Sequence, residues 1–185
     1  MAACNLSAGR QEVCKESVGG LQGVYFMNYP SSSYDPQFTY NANGQITAFP
    51  SGSTVYYYQL KGNSAYTETV NSSRDNGTTF FSQALTLNLK KLTNEMTTQL
   101  KLMAYGRPQI VVHTMNGDAL LVGEVEGADL TAGTIQTGGA MGDLYGYSAT
   151  FTGQEKLPAA FISGSTQSNP FAGITAPTIV YGTNS

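Results

Sequence analysis

The stretch Thr78–Lys90 (TTFFSQALTLNLK) constrains this chain more than any other. Leu85, Leu87 and Leu89 alternate there with Thr86, Asn88 and Lys90. Side chains on a strand point to opposite faces in turn, so the leucines share one face and the polar residues the other. The run therefore predicts a long strand with one buried and one wet face. Such a strand is unstable alone, so the rest of the chain has to supply neighbours.

It does so in short β-rich runs separated by turn dipeptides. Leu21–Tyr29 (LQGVYFMNY) is apolar and aromatic, and Asn43-Gly44 is a hairpin signal before Gln45–Phe49. Thr54–Lys61 (TVYYYQLK) and Ser64–Val70 (SAYTETV) are separated by Gly62-Asn63 and read as a hairpin. Asn71–Gly77 reads as a polar loop before the long strand. Gln109–Met115 and Ala119–Glu126 flank the turn Asn116-Gly117-Asp118, and Asp129–Thr137 and Tyr145–Thr152 flank a Gly-rich loop at 138–144. One helix is predicted, about 94–105. Thr93 is its N-cap, Glu95 lies in its first turn, Met96, Leu100 and Met103 form its apolar stripe, and Gly106 and Pro108 end it.

These elements predict a mainly β fold: an antiparallel β-sandwich or partly closed barrel with one flanking helix. Residues 21–162 form a single β-rich domain. Residues 1–20, small and polar and ending in Gly19-Gly20, form an N-terminal arm. Residues 163–185 hold no charge and no periodic apolar pattern, and read as a C-terminal arm that is ordered against a partner or stays mobile.

Charge narrows the function. Only 11% of residues are charged, against about 25% in an average globular protein. The chain thus has little with which to solvate a monomer's surface. Its charge is also uneven: all but one of the nine Lys and Arg precede Pro108, and Lys156 faces six later acids, Asp118, Glu124, Glu126, Asp129, Asp143 and Glu155. No basic stripe for nucleic acid is present, no apolar run reaches the length of a membrane span, and the first 20 residues carry no apolar core of an export signal. The two cysteines, Cys4 and Cys14, are expected to stay reduced, with a disulfide between them left open.

Catalytic constellations are weak. His113 is the only histidine and lies mid-strand, which favours a structural role over Ser-His-Asp or Cys-His chemistry and rules out a His-rich metal site. The acids from Asp118 to Asp129 lack the spacing of a calcium loop. Glu124 and Glu126, two apart on an expected strand, share a face and read as acidic surface. Gly138–Gly142 lacks the Gly-Lys-Ser/Thr ending of a phosphate loop. No enzyme, cofactor or metal is predicted. Tyr56, Tyr57 and Tyr58 place aromatic rings on both faces of one strand, and the second face is expected to be covered by a neighbouring subunit.

Three blocks carry a resemblance: CKESVGGLQGVYFMNY (14–29), the stretch from QLKGNSAY to GRPQIVV (59–112), and GADLTAGTIQTGGAMGDLYGYSATFTGQEKLPAAFI (127–162). Their order is similar to a structural protein family of crAss-like and related bacteriophages, and the order of elements resembles the phage tail-tube superfamily. The resemblance implies a virion protein forming a homo-oligomeric ring of the tail or neck. Its sheets would join side by side around a DNA channel, the helix would lie outside, and loops and arms would reach adjacent tail, portal or neck proteins. Within that reading Glu124, Glu126, Asp129 and Asp143 are expected to line the channel, so that viral DNA passes without specific binding. Tyr56, Tyr57 and Tyr58 are expected between subunits, and no membrane is involved. A virion-surface domain contacting a host receptor is the alternative.

Overall fold

The long run beginning at Thr78 is the spine of one of two large sheets in the computed structural model, which describes residues 6, 8–12, 14–30 and 38–182. The strands are β1 (Leu21–Met27), β2 (Thr39–Tyr40), β3 (Ile46–Ala48), β4 (Thr54–Gln59), β5 (Ala65–Ser73), β6 (Thr78–Lys90), β7 (Gln109–Thr114), β8 (Ala119–Val122), β9 (Asp129–Gln136), β10 (Gly146–Glu155), β11 (Ala160–Phe161) and β12 (Thr178–Tyr181). The helix α1 spans Asn94–Tyr105, between β6 and β7. A four-stranded sheet runs β5-β6-β10-β9, a six-stranded sheet runs β11-β8-β7-β1-β4-β12, and β2 and β3 form a small hairpin. The fold is mainly β and sandwich-like, and none of its sheets closes into a barrel.

The alternation in β6 has the predicted effect. Leu85 and Leu87 are buried with Tyr147, Ala149 and Phe151 of β10, facing Val24, Phe26, Ile110, Val112 and Val122 of the larger sheet. α1 closes one side of this core through Leu100, with Met96 and Met103 packed beside it. Thr93 caps the helix by accepting from the Met96 amide at 3.1 Å. The buried Tyr147 fixes the same end: its hydroxyl donates to the Thr93 carbonyl at 2.9 Å. Gly106 ends the helix in an extended conformation, φ −95°, so the left-handed role expected of it is not used.

The larger sheet is buried on its second face too. Tyr25, Met27, Val55, Val111 and Leu121 point there and meet Phe38, Ile46, Ile162 and Phe171. This explains why β1 and β7 read as continuous apolar runs rather than alternating ones. The cover comes from the β2–β3 hairpin and from residues after 160, which corrects the reading of the C-terminal stretch as an arm. Phe171 is 1% exposed, packed on Tyr25 and Phe49, and β12 pairs in parallel with β4. Local patterning missed this because one buried phenylalanine and a four-residue edge strand leave no periodic signal. Described residues of the N-terminal arm are exposed as far as Gly20 and include no strand.

Two further expectations change. β4 and β5 do not form a hairpin, because β4 lies between β1 and β12 while β5 pairs with β6 in the other sheet. Gly62-Asn63 is therefore a crossing between layers. The real hairpin is β5–β6, whose strands run through Asn71–Ser73 to a tip at 74–77. β8 stops at Val122 instead of reaching Glu126, because Gly123 adopts a left-handed φ of 66°.

Candidate functional site

Two surfaces concentrate what this chain offers a partner: the edges of the four-stranded sheet and the turn between β8 and β9. Each edge strand of that sheet has one neighbour among the described residues. Among the described residues β5 pairs only with β6, and β9 only with β10. Both are largely exposed along their length, and both leave one row of backbone donors and acceptors without a strand partner. A bulge at Thr131 bends β9 where Thr150 and Phe151 pass it. The sheet's outer face is uncharged through its centre. Cross-strand register sets Ala65, Thr86, Thr150 and Ala132 in one row and Asn88, Ser148 and Thr134 in another.

Residues 123–128 link the two sheets. Gly123 and Gly127 both have positive φ and touch so closely that a Cβ on Gly123 would lie 2.5 Å from the Gly127 carbonyl carbon. Only glycine fits such an approach. The turn hangs on buried polar side chains. Gln83 Oε1 accepts from the Gly123 amide at 2.9 Å, and Glu155 Oε1 accepts from the Val125 and Glu126 amides at 2.9 Å each. The Gln109 amide donates to the Glu124 carbonyl at 2.6 Å, and the Tyr40 hydroxyl binds the Glu124 carboxylate. Burial pushes the Glu155 carboxyl above its ordinary pKa, the two amide bonds oppose that shift, and the charges of Glu124 and Glu126 add to it. Sequence reasoning passed over Glu155 and Gln83 because each sits on an otherwise ordinary strand. The available signal was a polar residue at an inward position of an alternating run.

The four predicted channel acids do not form one group. Glu124 and Glu126 lie in the turn rather than on a strand, so the shared-face argument does not apply to them. Asp129 begins β9 and pairs with Arg107 at 3.4 Å. Asp143 lies at the other end of the β9–β10 hairpin, roughly 25 Å away along β9 at about 3.4 Å per residue. There it accepts from the Gly139 and Ala140 amides at 2.8 Å each, which hold its carboxyl below the usual range.

The three tyrosines separate by face. Tyr57 packs on Tyr25 and Tyr181, and its ring occupies the space beside Gly23 that a side chain would fill. Tyr58 stands edge-on to Phe26, and burial pushes its hydroxyl up to about 12. Tyr56 is the exposed member, in a cleft with Val180 and Glu95. The chain itself therefore covers the second face of β4.

His113 is buried, with Nε2 2.9 Å from the Thr166 carbonyl, and burial lowers its pKa. It fastens the C-terminal segment to β7. Cys14 is exposed and free, while Cys4 lies outside the described residues. Among the described residues, no three acids, histidines or cysteines converge closely enough to hold a metal ion, and no helix is long and apolar enough to cross a membrane. No family model, curated protein or solved structure matches this chain.

Proposed function

We propose that this chain is a non-catalytic structural subunit that closes with copies of itself into a ring, in a bacteriophage tail or neck, around the path of the viral DNA. The observation that carries the reading is the pair of open edges on the four-stranded sheet. β5 of one copy meeting β9 of the next would satisfy both rows of backbone groups and continue the sheet around a circle. Low surface charge supports it, since such a subunit gives much of its surface to neighbours. The viral setting rests on the resemblance of 14–29, 59–112 and 127–162 to crAss-like structural proteins.

In this arrangement the Thr, Ser and Asn face of the four-stranded sheet lines the channel. The acids stand at its two rims: Glu124, Glu126 and Asp129 at one, Asp143 at the other. A neutral hydroxyl wall offers no fixed cations to trap phosphates. Exposed Tyr56, Val180 and Tyr181 favour a second reading, a virion-surface domain that binds a receptor. Light scattering and electron microscopy of the purified protein test the first reading. Rings are expected, and a Thr67→Lys, Thr69→Lys variant, charged along the β5 edge, is expected to stay folded and monomeric. A monomer at high concentration, together with particles in which β5 and β9 face solvent, would refute it.

A further inference from the structure

Where β1 begins, the larger sheet carries an extra residue. Leu21 pairs with Thr114 and Gly23 with His113, so Gln22 is bulged out of the β1–β7 register. A bulge re-aims the side chain it carries. Here the Gln22 Oε1 atom is buried and receives no hydrogen bond from any described residue. An acceptor left unpaired away from water destabilises the fold. Gln22 also lines a cleft of about 760 Å³, a volume found in small-molecule sites. Gln59 and Leu60 at the end of β4, Met115 after β7 and the stretch 166–168 complete its lining, and none of these residues is charged. The far wall is tied down. The Thr166 carbonyl lies 2.9 Å from Nε2 of His113, and Gln167 Nε2 donates to the Met115 carbonyl at 3.2 Å. Gly117 packs so closely on this wall that a Cβ there would lie 2.6 Å from the Gln167 nitrogen.

The lining selects by chemistry. A charged ligand would give up water here and find no countercharge. A peptide strand would find no edge to join, because β1 and β4 are both interior strands of their sheet. What the cleft offers is carboxamides and a hydroxyl: Gln22, Gln59, Gln167 and Ser168. A carboxamide both donates and accepts, and so does each hydroxyl of a sugar. Met115 and Leu60 add apolar surface for the C–H face of a sugar ring. We propose that this cleft binds a neutral saccharide, one of whose hydroxyls donates to Gln22 Oε1. That oxygen is closed to solvent, so the exposed side chains of Gln59 and Met115 turn aside to admit the ligand. The cleft belongs to the six-stranded sheet, whereas ring formation uses the edges of the four-stranded one, so either can hold without the other.

The test is an NMR titration of the full chain, isotopically labelled at its methionine methyl groups, with the methyl glycosides of glucose, galactose and N-acetylglucosamine. Met115 lines this cleft, and Met96 lines the tyrosine-rich cleft beside α1. With at least one of the three glycosides the Met115 methyl is expected to shift saturably while Met96 does not move. Gln22→Met keeps the length of the side chain and removes the acceptor. It is expected to weaken binding roughly tenfold and to raise the melting temperature, because a buried unpaired oxygen is gone. Gln59→Ala is expected to weaken binding and leave the melting temperature unchanged. No saturable shift with any of the three glycosides, a shift of Met96 instead, or full binding by Gln22→Met would overturn the proposal. So would a lower melting temperature for Gln22→Met, the mark of an oxygen that pairs with an ordered water only.

Discussion

Replacing Phe171 with alanine removes the most deeply buried ring from the second face of the six-stranded sheet. Phe171 is 1% exposed, with its centroid 5.2 Å from that of Tyr25 and 5.6 Å from that of Phe49. Burying a phenylalanine contributes about 1.5–3 kcal/mol by transfer alone. Two edge-on aromatic contacts add about 0.5–1.5 kcal/mol each, and the cavity left behind adds more, although these contributions overlap. Measured Phe→Ala changes in cores cost about 3–5 kcal/mol, and we expect the same here. For a chain of this length that lowers the melting temperature by roughly 6–20 °C. Urea unfolding of the full chain, followed by tyrosine fluorescence, reads the change as a lower midpoint at constant slope. A loss under about 1 kcal/mol would mean that the C-terminal segment is not part of the cooperative core, and the two-faced burial of the larger sheet would be wrong.

Three other substitutions test the polar framework. Glu155 has a raised folded pKa, so its contribution is fully present below the ordinary carboxyl value and is lost as pH rises through the folded one. Glu155→Gln is expected to flatten that fall, measured by urea titrations between about pH 4 and 7; an unchanged profile would remove Glu155 from the account. His113 has a lowered folded pKa, so its contribution is present above the ordinary value and disappears on acidification. His113→Ala is expected to cost about 1–3 kcal/mol at neutral pH and to remove that acid-side loss, with proteolysis of the 163–170 loop as a second readout. Thr93→Ala removes the helix cap and is expected to cost about 1 kcal/mol by thermal denaturation, with no change in quaternary state.

Much of the framework is legible residue by residue. The leucines of β6, the cap and stripe of α1 and the Asn116-Gly117 turn between β7 and β8 are local signals, and each produces the element it predicts. The short run Thr178–Tyr181 is rich in β-branched and aromatic residues, and that composition was a usable strand signal. The polar latch beneath the 123–128 turn was far less legible. Glu155 and Gln83 become notable only when burial and the Gly123-Gly127 contact bring them to the same turn.

The sequence by itself determines the longer strands, where the helix begins and ends, and that the chain is poor in charge. These follow from side-chain alternation, capping chemistry and composition, which act over a few residues. Only the tertiary structure decides that β4 and β5 belong to different sheets, that β12 runs parallel to β4, and that Phe171 closes the core. Strand pairing joins backbones far apart in the chain, and backbone hydrogen bonds are nearly blind to the side chains they carry. The partner of each strand is therefore chosen by which faces must leave water together, a property of the whole assembly of elements and of no segment alone.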